Sequence, residues 1–200
     1  MMTVARWTRG LGLATALAVT SAAAGAQTWT ASLNGANEAP PVVSMGIGSA
    51  TFTLTGNVLR IQGSFSGLNG ITTASHIHCC TAAPLTGTVG VATTTPTFPG
   101  IPLGANNAVF DFLLDLDLTS SFNAAFLTAS GGTTAAARAR LIAGMNSGSS
   151  YLNIHSSTSP GGEIRGFILT PVPEPSSMLL MGAGMLGLVT LSVRRRTRAG

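Results

Sequence analysis

The amino-acid sequence predicts an all-β fold, an antiparallel β-sandwich with one or two short helices inserted. Three observations indicate this fold: short runs in which apolar and polar residues alternate, Gly, Asn and Pro between the runs, and a run count typical of a sandwich. A stretch dense in Thr, Pro and Gly, residues 81–104, predicts a long irregular connection or weak edge strands. The candidate strands cover residues 28–35, 48–56, 58–67, 71–79, 108–118, 150–157 and 163–169.

The clearest alternation lies in residues 48–56. Ala50 and Phe52 point to one face and the threonines between them to the other, as expected for a strand with water on one side. The Gly-Asn pair at 56–57 follows directly and predicts a two-residue hairpin turn into the run 58–67. These two runs are therefore predicted to be neighbouring antiparallel strands.

One part of the domain departs from the β pattern. Residues 122–129 and 133–143 are rich in alanine and predict two short helices separated by a pair of glycines. Thr133 or Thr134 is the candidate N-cap of the second helix. Gly144 is predicted to close that helix.

The first 26 residues have the layout of a secretory signal peptide. A basic start is followed by an apolar stretch over residues 11–19 and by small residues that end in Ala-Gly-Ala. The apolar stretch of about nine residues is shorter than the ~20 that span a bilayer, which disfavours a membrane anchor. Cleavage is predicted between Ala26 and Gln27.

The carboxy-terminal segment, residues 171–200, combines a Pro-rich motif, an apolar run and a basic cluster. The motif is Val172-Pro173-Glu174-Pro175, the run 177–193 predicts a transmembrane helix, and arginines fill most of residues 194–198. Basic flanks stay in the cytoplasm, so the predicted topology places the amino terminus outside.

The domain between these ends, residues 27–170, has no basic footprint. The whole chain carries a formal net charge of +4, but six of its ten basic residues lie in the two ends. Four arginines and five carboxylates remain in the domain, which gives a formal charge of −1. This balance argues against binding to nucleic acid. Lysine is absent and only 8% of residues are charged, a composition that suits the cell exterior.

Three segments of the domain carry a longer pattern: NGANEAPPV at 34–42, ASHIHC at 74–79 and YLNIHSSTSPGGEIRGFI at 151–168. Together they resemble the CHRD domain, the repeat named after chordin, over residues 28–169. The resemblance implies one domain with a binding role, and neither a substrate nor a reaction. The most specific motif residues are Asn153, Ile154, His155, Gly161, Gly162, Glu163, Ile164, Arg165 and Gly166.

The carboxy-terminal segment resembles the PEP-CTERM sorting signal of Gram-negative bacteria. The resemblance rests on the motif at 172–175, the apolar run and the terminal arginines. It implies processing by an exosortase-type enzyme, an inner-membrane intermediate, and delivery to the cell envelope surface or the extracellular matrix.

The three histidines of the chain, His76, His78 and His155, all fall in predicted strands. His76 and His78 project to one face, and His155 joins them if its strand is a neighbour. The pattern resembles part of the copper/zinc superoxide dismutase site, so all three are candidate copper or zinc ligands. The competing interpretations are hydrogen bonding to backbone or carboxylate groups without any metal, and pH sensing. The sandwich is expected to be Greek-key and immunoglobulin-like, or superoxide-dismutase-like.

Cys79 and Cys80 are the two cysteines of the chain, and they are adjacent. Ordinary disulfides need Cα atoms about 4.4–6.8 Å apart, which trans neighbours at about 3.8 Å do not reach. A bridge between the two neighbours, free thiols and intermolecular bridges all remain open. One of the sulfurs is also a candidate metal ligand beside His78.

Two sets of charged residues have alternate spacing on predicted strands. Glu163 and Arg165 predict a structural ion pair, with each other or with Arg60, rather than general acid–base chemistry. The fifth run predicts three acids on one face, either solvated or able to bind calcium: Asp111, Asp115 and Asp117.

No serine, histidine and aspartate set supports an enzyme, so the chain is expected to be non-enzymatic. The predicted function is an exported, surface- or matrix-associated binding or structural module without a cofactor. Its expected partners are the processing enzyme, the inner membrane at least transiently, and an extracellular protein or polysaccharide. The alternative is a copper- or zinc-binding periplasmic or extracellular protein that uses the three histidines.

Overall fold

The computed structural model describes residues 25–171, and in this range the chain forms seven β-strands and two α-helices. The predicted all-β antiparallel fold with two short helices is confirmed. The helices are α1 (Ala124–Ala129) and α2 (Thr134–Ser147). The strands are β1 (Gln27–Asn34), β2 (Ile47–Thr55), β3 (Val58–Ser66), β4 (Thr72–His78), β5 (Ala108–Asp115), β6 (Tyr151–Ser156) and β7 (Ile164–Phe167).

The strands form one continuous antiparallel sheet in the order β4-β6-β7-β1-β2-β3-β5. The sheet is continuous because β1 pairs with β2 on one side and with β7 on the other. It curls, which gives a sandwich-like fold from a single sheet rather than from two separate ones. Two strands that follow each other in sequence, β4 and β5, therefore lie at opposite edges.

The β1–β2–β3 meander supplies much of the core. Trp29, Phe52 and Ile61 lie at facing positions of the three strands, and each is at most 1% exposed. The hairpin between β2 and β3 turns at Gly56, whose φ of +60° is readily adopted by glycine. Alternation along the strands thus buries one face of the meander.

Helix α2 packs its apolar side chains into the same core. Leu141 and Met145 are fully buried, and Trp29 Nε1 donates to Asn146 Oδ1 at 3.0 Å. Thr133 is the N-cap, with its side chain accepting from the amide of Ala136 at 3.2 Å.

The predicted end of this helix at Gly144 is wrong. The helix continues to Ser147, and Gly148, in the left-handed conformation at φ +70°, forms its C-cap. Gly144 lies inside the helix because its missing side chain makes room for the sulfur atoms of Cys79 and Cys80.

The connection from β4 to β5 is long and irregular. It returns over β4, where Ala92 and Thr93 donate their amides to the carbonyl of Ile77. Phe98, in the same connection, is 1% exposed. This path brings backbone carbonyls of the connection next to the side chains of β4.

Within residues 25–171 no helix has the length and apolar character needed to cross a membrane. The predicted signal peptide up to residue 24, the motif at 172–175, the predicted transmembrane helix 177–193 and the arginine cluster lie outside the described residues. Gln27, at the predicted cleavage site, is the first residue of β1.

Candidate functional site

The pairing of β4 with β6 brings the three histidines to one face of the sheet. His76 is opposite Asn153, so His155, two residues further along β6, faces the same side. His78, two residues further along β4, does so as well. The alternate residue Ile77 points the other way and is fully buried in the core. A strand pairing that is distant in sequence therefore assembles the cluster.

One ring nitrogen from each histidine takes part in a close group. These three nitrogens all lie within 4.8 Å of one another. Nδ1 of His76 and Nε2 of His155 are 3.3 Å apart. In the described part of the chain this is the one group of three or more His, Cys, Asp or Glu residues that is close enough to hold a metal ion.

The other ring nitrogen of each histidine meets a backbone carbonyl. The distances are 2.5 Å from His76 Nε2 to Pro96, 2.8 Å from His78 Nδ1 to Val89 and 2.9 Å from His155 Nδ1 to Pro160. A carbonyl oxygen only accepts hydrogen bonds, so each of these nitrogens carries the N–H. In the neutral ring the nitrogen that faces the cluster is then left with a lone pair.

The surroundings keep these rings neutral. Burial lowers the pKa of His76 and of His155 below the ordinary value, although hydrogen bonds to carbonyls oppose this effect. Burial lowers the pKa of His78 to about 4, and the nearby histidines and Arg165 lower it as well. At neutral pH the cluster therefore presents three uncharged lone-pair donors.

Tyr151 fixes the orientation of the His78 ring. The two rings are stacked, with centroids 4.7 Å apart and planes 9° apart. The Tyr151 hydroxyl donates to the carbonyl of Val89 at 3.2 Å, the same carbonyl that accepts from His78. Neither Tyr151 nor Val89 was identified from the sequence as part of the site. Tyr151 could have been found, because strand alternation places it on the same face as Asn153. The carbonyl of Val89 lies in an irregular connection, for which the sequence has no such pattern.

Cys79 and Cys80 form a disulfide with each other. Their sulfur atoms lie 3.9 and 3.6 Å from the carbonyl oxygen of Arg140 in α2. The expectation that one sulfur joins the histidines is wrong, because both sulfur atoms lie against helix α2 and neither belongs to the histidine group.

Glu163 is a fully buried carboxylate that is held by neutral donors. It accepts from Ser44 Oγ and the amide of Asn69, each at 2.6 Å, from the amide of Gly70 at 3.3 Å, and from Ser156 Oγ. Burial raises the pKa of Glu163, but these hydrogen bonds outweigh it and the pKa lies below its ordinary value. This motif residue thus joins the entry of β7 to three other segments: the β1–β2 connection, the β3–β4 connection and the end of β6.

The predicted ion pair of Arg165 with Glu163 is wrong. Arg165 instead faces Glu38, with 3.9 Å between Nε and Oε2, and both side chains are buried. Arg165 also donates to the carbonyls of Asn37 and Gly87. The early and late segments of the sequence pattern are therefore adjacent in space, because Arg165 reaches residues 37–38.

The acidic residues of β5 have separate partners. Arg60 forms an exposed ion pair with Asp111 at 2.6 Å, and Arg138 pairs with Asp117. The predicted shared face fails for Asp117, because β5 ends at Asp115. The calcium interpretation is not supported by this arrangement, since these acids do not form a close group.

The fold and the site together define a class: a curled antiparallel β domain with a buried polar face. A family model of the CHRD domain matches residues 29–168, and a model of the PEP-CTERM protein-sorting motif matches residues 171–196. No curated protein and no solved structure matches the chain.

The chain belongs to the CHRD domain family, since the family model covers well over half of its length. The sorting motif identifies it as an exported protein that an exosortase processes, with a membrane-anchored passage to the cell envelope.

Proposed function

We propose that this chain is a non-enzymatic binding module that an exosortase-type enzyme separates from its carboxy-terminal segment, so that the β domain remains at the cell surface or in the extracellular matrix. The proposal rests on the position at which the β domain ends, just before the sorting segment. Leu169 exchanges two backbone hydrogen bonds with Thr30, each 2.9 Å long. Thr170 and Pro171 are exposed, and the match to the sorting motif begins at Pro171. The described domain therefore ends in a paired backbone at Leu169, and the exposed residues that follow it form the junction with the sorting segment.

The processing step is tested with Glu174→Gln in the sorting motif. Intact mass and membrane fractionation of the wild type should show a protein without its carboxy-terminal segment outside the inner membrane. The variant should stay in the inner membrane with the segment attached. Ser176→Ala, next to the motif, is the matched control and should be processed normally. A variant with the same mass and location as the wild type would contradict the proposal.

The non-enzymatic role is supported by the partners of the histidines. In residues 25–171 each histidine hydrogen-bonds a backbone carbonyl, and none contacts a serine hydroxyl that it could activate. A binding role is supported by exposed apolar residues at alternate positions of one extended segment, since such patches mark interaction sites. They are Val43, Met45 and Ile47, which are 97%, 82% and 61% exposed.

Partners are sought with the processed protein on arrays of extracellular polysaccharides and envelope proteins. Val43→Ser with Met45→Ser should reduce retention, whereas Val109→Ser, at an exposed apolar position on the edge strand β5, should not. Equal retention of both variants would show that this segment is not the binding surface. Retention of no partner would count against the binding role itself.

A further inference from the structure

We propose that His76, His78 and His155 form a binding site for one transition-metal ion of the zinc and copper class. This inference goes beyond the proposed function, because neither sorting nor partner binding requires a metal. It rests on the hydrogen-bonding geometry of the three rings.

Two lone pairs face each other at the centre of the cluster. Nδ1 of His76 and Nε2 of His155 are 3.3 Å apart, and each belongs to a ring whose other nitrogen donates to a carbonyl. Two neutral acceptors at this distance repel each other unless something positive lies between them. The arrangement therefore requires a proton, a water molecule or a metal ion.

His78 adds a third acceptor with the same requirement. Its Nδ1 donates to Val89, and its Nε2 is buried without a hydrogen-bond partner among the described residues. An unsatisfied buried polar atom costs about 1–3 kcal/mol. This atom gains a partner if the lone pairs of all three histidines coordinate one metal ion.

A proton or a water molecule satisfies fewer of the three nitrogen lone pairs than a metal ion does. An added proton can bridge the facing nitrogens of His76 and His155, but it leaves Nε2 of His78 without a partner. A water molecule has two hydrogens to donate, so it leaves one of the three lone pairs unsatisfied. A metal ion accepts all three.

The distances and the ligand type favour zinc or copper. Metal–nitrogen bonds of about 2.0–2.1 Å place tetrahedral ligands about 3.3 Å apart. One pair already has this separation, and the other ligand nitrogens lie within 4.8 Å, so side-chain shifts of about 1–2 Å close the site. Imidazole nitrogens suit zinc and copper rather than calcium or magnesium. Three protein ligands leave the fourth coordination position for another molecule.

The carbonyls of Pro96, Val89 and Pro160 accept hydrogen bonds from the ring nitrogens that do not face the cluster. Ligating histidines usually donate their other N–H to a carbonyl or carboxylate, which fixes the tautomer and raises ligand basicity. All three histidines do so here. The Arg165 charge close to His78 opposes a cation, and the carboxyl group of Glu38, 3.9 Å from that guanidinium, offsets this charge once it ionises above its pKa of about 7.

The test uses the processed protein purified from the envelope, freed of metal with a chelator and titrated separately with zinc and with copper. We expect one equivalent of at least one of the two ions to bind and to raise the unfolding temperature, since a ligand at 100 times its Kd stabilises by about 2.7 kcal/mol. X-ray absorption should show nitrogen neighbours at about 2.0 Å.

The variants are His155→Ala, the least buried of the three, and His78→Gln. Each should weaken binding at least about 100-fold, beyond the 10–100-fold typical of outer partners. Asp111→Asn, which removes an exposed carboxylate on β5, should bind as the wild type does. A wild type that takes up neither ion overturns the proposal, whether or not the variants fold. Undiminished binding by a folded His155→Ala variant overturns it too, because the ion would then lie elsewhere.

Discussion

At the scale of single residues, Glu38 is a buried carboxyl group whose charged form the fold disfavours. Its Oε1 atom is buried without a hydrogen-bond partner among the described residues. Burial raises its pKa from 4.5 to about 7, although Arg165 opposes this shift. The folded protein therefore holds the proton of Glu38 more tightly than the unfolded chain does.

This difference predicts a pH dependence of stability. A raised pKa in the folded state stabilises fully below about pH 4.5, and the contribution is lost as the pH rises through about 7. Glu38→Gln keeps a neutral side chain of similar shape at every pH. Relative to the wild type, its free energy of unfolding should therefore rise by about 1–2 kcal/mol between about pH 5 and pH 8.

Urea unfolding at several pH values measures this change. Asp111→Asn is the matched control, because the pKa of the exposed Asp111 lies below its ordinary value and the group does not titrate in this interval. If the wild type gains stability over Glu38→Gln as the pH rises, the pair with Arg165 outweighs burial and the assignment is wrong.

At the scale of elements, helix α2 meets the Cys79–Cys80 disulfide at Gly144. A Cβ atom at this position would lie 2.5 Å from the sulfur of Cys79 and 2.6 Å from both the sulfur of Cys80 and the hydroxyl oxygen of Ser150. These distances are too short for any side chain. The glycine is thus kept inside a helix, where it costs about 0.5–1 kcal/mol relative to alanine, by the closeness of its neighbours.

Gly144→Ala measures which of the two effects is larger. Better helix propensity favours the variant by at most about 1 kcal/mol, whereas overpacking a core typically costs about 1–3 kcal/mol. The contacts are with buried Cys79, half-buried Cys80 and buried Ser150, so we expect a net loss of about 1–2 kcal/mol in urea unfolding. Gly161→Ala, an exposed position with open space around it, should change stability by less than about 0.5 kcal/mol. A Gly144→Ala variant as stable as the wild type would disprove the close approach.

The elements that the sequence could predict are those set by local patterns, and the end of α2 is not one of them. Alternation in residues 48–56 is a local property, so strand β2 and its hairpin were predictable. The cap at Thr133 was predictable for the same reason. The helix end at Gly148 was not, because Gly144 carries the same signal and the disulfide that explains it is distant in sequence.

At the scale of the whole molecule, prediction of the candidate site depends on strand order. The shared face of His76 and His78 follows from strand periodicity, but the position of His155 depends on the pairing of β4 with β6. That pairing joins strands more than 70 residues apart and is not encoded in any local pattern. For the same reason the Glu38–Arg165 contact was missed in favour of a pair two residues apart in sequence.

The domain boundary gives a final prediction for the whole molecule. Chains that begin at Gln27 and end at Pro171 or at Phe167 differ by the four residues 168–171. The shorter chain loses Ile168, a fully buried residue whose amide donates to the carbonyl of Ser150. It also loses both backbone hydrogen bonds between Leu169 and Thr30. Burial of an isoleucine contributes about 1.5–3 kcal/mol and each hydrogen bond about 1 kcal/mol.

We therefore expect the chain ending at Pro171 to unfold cooperatively and the chain ending at Phe167, which lacks the isoleucine and three hydrogen bonds, to be less stable by about 4–6 kcal/mol, or unfolded. Thermal and urea unfolding followed by circular dichroism compare the two. A third chain that ends at Leu169 is the control and should match the longer one, because Thr170 and Pro171 are exposed. If the chain ending at Pro171 fails to fold, the segment beyond it contributes to the domain. Its removal by processing would then unfold the protein rather than leave a working module at the cell surface.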